Sequence, residues 1–183
     1  MSQVQPPDSH CRPDCIGAAF DVIGVHTKYR FILCYRPPSS GINDLCLLTK
    51  AIDSLCTSDA SVILCGDFNL PAISWTSPDI NDVSDLLCSS FIDCVQENAL
   101  VQYVSQATRG NNILDLVFSN DPFLVHDVIV SVPLSTSDHN TVEFKLNFCN
   151  TVFLKNSDKV FTDFSAIDWD SFNEYFCHIN WSV

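Results

Sequence analysis

The chain has 183 residues, with nine Lys plus Arg against 22 Asp plus Glu and a net charge of −13, so its long-range field repels nucleic acid and anionic membranes. Any contact with DNA must then be local and assisted by a cation. A hydrophobic content of 46% is enough for the core of one domain, and no uncharged apolar run of about 18 residues is present to span a membrane.

In chain order, residues 1–16, opening "MSQVQPPDSHCRPD", read as an irregular leader. Cys11 and Cys15 lie near His10 and His26, but without a C-x-x-C knuckle or a second cysteine pair they do not make a zinc site. The leader lacks a basic start followed by an apolar segment, and most of the ten cysteines, such as Cys34, Cys65, Cys94 and Cys149, sit in apolar runs. Reduced thiols and a protein that is not secreted are expected. "AAFDVIGV" and "YRFILCY" predict a hairpin or adjacent strands, stopped by Pro37-Pro38-Ser39-Ser40-Gly41. Leu45, Leu48, Ile52 and Leu55 recur at steps of three and four, which predicts an amphipathic helix lying on a sheet. "SVILCGD" predicts a buried strand. A second helix is predicted from Asp82 to Asn98, with Val83, Leu86, Leu87, Phe91, Cys94 and Val95 on one face and Asn81 as N-cap.

Beyond that helix the pattern is all β: "LVQYVS", "NILDLVFS", "LVHDVIVSV" and "TVEFKLNF". In the last, Val142, Phe144, Leu146 and Phe148 alternate with polar residues, as in a half-buried strand. Residues 150–183 predict a linker and a further helix, with Phe164, Ile167, Phe172, Phe176 and Ile179 as an apolar stripe and Ser165 with Asp168 as a capping box. The fold class is α/β, and the central domain runs over residues 17–149.

Three polar clusters interrupt these apolar strands: Asp67 and Asn69 after one strand, Asp115 within another, and Ser137-Asp138-His139-Asn140 before the last. Each has a bland reading taken alone. Gly-Asp-x-Asn and Ser-Asp-His are common turn chemistry, and Asp115 could face solvent. A carboxylate between Leu114 and Leu116 is costly to bury without a partner, and a histidine is the obvious one. An imidazole oriented by a buried Asp, beside carboxylates that hold a hard divalent cation, is a general acid/base site for hydrolysing a phosphate ester. Oxygen ligands suit Mg²⁺.

"VILCGDFNL", "LDLVFSN" and "STSDHNTVEFKL" together resemble the motifs of the endonuclease/exonuclease/phosphatase superfamily, whose fold is a two-sheet β-sandwich flanked by helices. Within it, "YRPPSSG", "TRGNNILDLVFSN" and "SDHNTVEF" look most like the endonuclease domain of non-LTR retrotransposons. The tail "DFSAIDWDSFNEYF" is similar to the linker that leads from that domain to a reverse transcriptase. The resemblance implies that Asp67 positions or deprotonates the attacking water and that Asn69 orients the scissile phosphate and supports Asp67. It implies that His139 contacts the phosphoryl oxygen or moves a proton, held by Asp115, and that Asp138 lies with Asp67 close to a Mg²⁺ or Mn²⁺ ion. It makes Tyr35 a phosphate contact, with packing on the core as the alternative, and it places Arg109, Asn111 and Asn112 against DNA. Arg109 has its own alternative as a solvated loop charge. Yet between Val62 and Cys149 it and Lys145 are the only basic residues.

The family domain opens with a strand bearing an Asn and a helix region ending in a metal-ligating Glu, and neither block has a counterpart before Tyr35. The chain therefore matches the C-terminal part of the domain, incomplete at its N-terminus. The resemblance implies a DNA-nicking, metal-dependent endonuclease of a retroelement, impaired in this chain and acting in the nucleus or cytoplasm. The alternatives are a non-catalytic remnant that acts through protein contacts and a phosphatase acting on a small phosphate ester.

Overall fold

The computed structural model describes residues 16–23, 27–57, 59–76 and 85–148. In chain order the elements are β1 (Ile16–Ile23), β2 (Lys28–Tyr35), α1 (Ile42–Leu55), β3 (Ser61–Asp67), α2 (Leu86–Glu97), β4 (Val101–Gln102), β5 (Asp115–Ser119), β6 (Val125–Pro133) and β7 (Asn140–Leu146). The first five strands form one mixed sheet in the order β1-β2-β3-β5-β4, and β6 pairs with β7 in a second. Strand β1 runs antiparallel to β2 with Phe20 opposite Phe31, so the hairpin reading holds. Strands β2 and β3 are parallel, joined through α1, and β5 returns antiparallel beside β3.

Side chains alternate across the large sheet, and that alternation builds the layers. Ile32, Cys34, Val62, Leu64, Leu116 and Phe118 point to one face and are buried under Leu45, Leu48 and Ile52 of α1 and Phe91, Ile92 and Val95 of α2. Tyr29, Ile63 and Val117 point to the other face, under Val130, Val142, Phe144 and Leu146 of the second sheet. Each fully buried Leu, Ile or Phe contributes about 1.5–3 kcal/mol. The predicted α/β arrangement, a two-sheet sandwich with flanking helices, is what the described residues form. Cys88 and Cys94 are core residues whose burial raises their thiols well above the ordinary range.

Two boundaries differ from the sequence reading. Helix α2 begins at Leu86, and its N-cap is Asp85, whose carboxylate accepts the Leu87 N–H at 2.9 Å; Asn81 and Val83 lie outside the described residues. "LVQYVS" contributes the two-residue β4, beyond which the Tyr103 N–H still donates to the Val117 carbonyl at 2.9 Å. The leader before Ile16, including Cys11, Cys15 and His10, also lies outside the described residues, as do His26, Cys149 and the 150–183 tail. No helix among the described residues is long and apolar enough to cross a membrane.

Candidate active site

The parallel pair β2–β3 ends at Tyr35 and Asp67, which stand opposite each other, and antiparallel β5 begins at Asp115, opposite Asp67. Tyr35, Asp67 and Asp115 thus form one row across three strands at the carboxyl rim of the parallel pair, where α/β sheets carry ligands. Gly66 makes this row possible. Its φ is +146°, and a Cβ there would lie 1.7 Å from the Cys34 carbonyl oxygen, so only glycine lets β2 and β3 approach this closely before Asp67.

After Asp67 the chain turns through Asn69, whose φ of 47° is left-handed, a conformation Asn tolerates better than most residues. The Asn69 amide donates to Asp67 Oδ1 at 3.1 Å, and its side-chain Nδ2 donates to the Arg36 carbonyl at 2.7 Å. Asn69 is buried; its backbone N–H reaches Asp67 while its carboxamide is committed to backbone. Sequence reasoning passed over Arg36, which is 2% exposed. Its guanidinium donates to the Asn69 carbonyl at 3.0 Å and to the Ser40 carbonyl, locking the turn from inside. The only hint in the sequence is a cation set among aromatic and proline residues in "CYRPP".

His139, just before β7, brings its Nδ1 within 2.8 Å of Asp115 Oδ2, and its Nε2 lies 4.0 Å from Asp67 Oδ2. An ionised carboxylate only accepts, so Nδ1 carries the proton and Nε2 faces Asp67. The three side chains offer ligand atoms within 4.8 Å of one another. Burial, and next the nearby Asp115 carboxylate, raise the Asp67 carboxyl above its ordinary value, against the opposing pull of the Asn69 amide and of His139. Like charges directly opposite each other in a sheet repel. Two carboxylates and an imidazole at this spacing could hold a divalent cation, which is usually bound by one or two carboxylates with water or phosphate completing its shell.

The remaining predicted residues stand around this centre. Asp138 does not join the cluster; its exposed carboxylate meets Arg109 Nη2 at 2.6 Å, and this ion pair lowers its pKa. Asp138 was expected beside the metal; its carboxylate is directed at Arg109, while the next residue, His139, takes the position facing Asp67 and Asp115. Arg109 opens a tight turn closed by its reciprocal backbone bonds with Asn112, and Asn111 and Asn112 are exposed at its tip. A groove of about 420 Å³ lined by Pro38, Asn69, Pro71, Arg109, Asn112 and Leu114 runs beside this turn. Tyr35, which is 44% exposed, is open at the rim instead of sealed in the core. A second groove, about 500 Å³ and lined by Lys28, Asp59, Asn120 and Phe123 among others, lies at the opposite end of the strands.

Among curated proteins none matches the chain significantly. Of solved structures, the endonuclease domain of TRAS1, a telomere-specific non-LTR retrotransposon, is 16% identical with a TM-score of 0.56, covering 72% of this chain and 64% of that domain. This likeness shows a shared fold, and the chain spans under two thirds of the TRAS1 domain's length. An endonuclease/exonuclease/phosphatase family protein from Bacteroides thetaiotaomicron is 17% identical with a TM-score of 0.36, covering 65% of this chain and 49% of that one. The model of the family described as endonuclease-reverse transcriptase matches residues 29–143, a span that holds every residue of the Asp67, Asp115 and His139 cluster and most of both sheets. With that match over more than half its length, the chain belongs to the endonuclease-reverse transcriptase family.

Proposed function

We propose that this chain hydrolyses a DNA phosphodiester as the nicking endonuclease of a retroelement, using Mg²⁺ or Mn²⁺, with slow turnover. The observation that carries the reading is the Asp115–His139 bond of 2.8 Å set beside the raised carboxyl of Asp67. A bound divalent ion, held by Asp67 and Asp115, would supply charge neutralisation for the phosphate. Asp67 Oδ2 takes a proton from the attacking water, whose oxygen bonds to phosphorus as the P–O3′ bond breaks. His139, held through Nδ1 by Asp115, faces Asp67 with Nε2, takes up there the proton that Asp67 removed from the water, and passes it to the departing 3′ oxygen. The products are a 5′-phosphate and a 3′-hydroxyl that can prime synthesis by a reverse transcriptase. The exposed Tyr35 and the Arg109, Asn111 and Asn112 turn beside the rim groove are the contacts assigned to the flanking strand on this reading. The diversion of Asp138 to Arg109 leaves two carboxylates at the centre, which supports a weak cation site and slow turnover.

The test is nicking of supercoiled plasmid with Mg²⁺ or Mn²⁺. Nicking that is slow, stopped by chelator and lowered at least about 100-fold by His139→Ala is expected. Equal rates for wild type and His139→Ala, or nicking untouched by chelator, would sink the reading.

A further inference from the structure

The chemistry above requires Asp115 and His139 to meet although 24 residues separate them. We propose that Thr108 is the positioning residue that fixes this pair, an inference that takes its catalytic meaning from the functional reading above. Thr108 is completely buried. Its Oγ1 accepts the Leu114 N–H at 2.9 Å and the Asp115 N–H at 3.0 Å, filling both hydroxyl lone pairs at the entry to β5. Its carbonyl accepts the N–H of Asn140, the residue after His139, at 2.7 Å, and its own N–H donates to the Asn112 carbonyl at 2.8 Å. The Asn140 side chain adds a second tie on the same stretch, donating to the Ala107 carbonyl at 3.0 Å.

One residue thus binds the backbone at Asp115, the backbone beside His139 and the closing end of the Arg109 turn. The ties made by side-chain atoms are buried or partly buried. Valine has the same shape as threonine but cannot accept, so Thr108→Val leaves two N–H groups without their partner at the start of β5. The strand entry must then move to find another acceptor, and the carboxylate carried by Asp115 moves with it. Serine keeps the oxygen. The sequence gives only a weak sign of this, a threonine ahead of the Arg-Gly-Asn-Asn turn.

The experiment uses the full chain as wild type, Thr108→Val and Thr108→Ser. It reads the His139 Nδ1–H proton by NMR, amide exchange at Leu114, Asp115 and Asn140, and the kcat and KM of nicking. Wild type and Thr108→Ser are expected to show a downfield, slowly exchanging Nδ1–H and protected amides. Thr108→Val is expected to lose the Nδ1–H signal, to speed Asp115 exchange while Leu64 stays protected, and to lower kcat about 10- to 100-fold with KM little changed. Retention of the Nδ1–H signal in Thr108→Val overturns the proposal. So does its absence from wild type or from Thr108→Ser. Should Thr108→Val fail to fold, the wild-type exchange decides: Leu114 and Asp115 amides as labile as that of exposed Thr136 would refute the tie. If no variant nicks DNA with metal while the NMR results follow the expectation, the functional reading fails and the positioning role stands.

Discussion

The large sheet has two faces made by the same strands, and they are covered differently. On the helix side, Ile32, Val62, Leu64 and Phe118 are all buried, and Phe118 sits edge-on among Phe68, Trp75 and Phe91. On the other side, Tyr29 and Ile63 are buried under β6–β7, whereas Leu33 and Tyr35, further along β2, are each 44% exposed. Phe20, stacked on Phe31 at 4.8 Å, is half exposed as well. The difference teaches where rigidity and access separate in this molecule. The sealed face holds the strands at fixed spacing; the half-open face carries the row of Tyr35, Asp67 and Asp115 to a rim that solvent and a ligand can reach.

The largest effect that would test this contrast is Phe118→Ala, expected to cost about 3–5 kcal/mol of stability in urea unfolding. Leu33→Ala, on the same sheet but the open face, is expected to cost about 0.5 kcal/mol or less; a loss comparable to that of Phe118→Ala would show that the open face is sealed after all. The smallest effect has the opposite sign. The folded chain raises the pKa of Asp67 above that of an exposed carboxyl, so its ionised form is disfavoured by folding. The penalty is absent well below the ordinary value of 3.8, sets in as pH rises through that value toward the folded one, and persists at neutrality. Asp67→Asn is therefore expected to raise the melting temperature at pH 7 in chelator, with the gain vanishing in strong acid. A melting temperature that falls at pH 7 would mean that Asp67 is held by a partner stronger than its repulsion from Asp115.

Much of this was legible because it depends on local pattern. The three-and-four spacing of Leu45, Leu48 and Ile52 marks α1, and the alternation of Val142, Phe144 and Leu146 marks β7. The meeting of Asp67, Asp115 and His139 followed from motif resemblance, since no periodicity brings together residues so far apart in the chain. What stayed hidden depends on direction and on backbone partners. Asp138 and His139 are neighbours in sequence, and which one faces inward is decided by the turn before β7 and by the pull of Arg109. Arg36 and Thr108 act on carbonyls and amides, which nearly every residue possesses, so no residue pairing in the sequence points to them. Asp85 caps α2 because its carboxylate reaches the Leu87 amide, a fact of loop geometry that an equally good capping residue at Asn81 masks.

The Arg109–Asp138 contact has a consequence of its own. The arginine that lines the rim groove already holds an anion at 2.6 Å, so a polyanion docking there would not meet a bare positive charge; it would compete with a tethered carboxylate. Such an exchange yields little net attraction, because one ion pair dissolves as another forms. It would reward a visitor that offers two oxygens to the guanidinium fork in place of one, and it would free Asp138 beside the histidine that follows it in the chain.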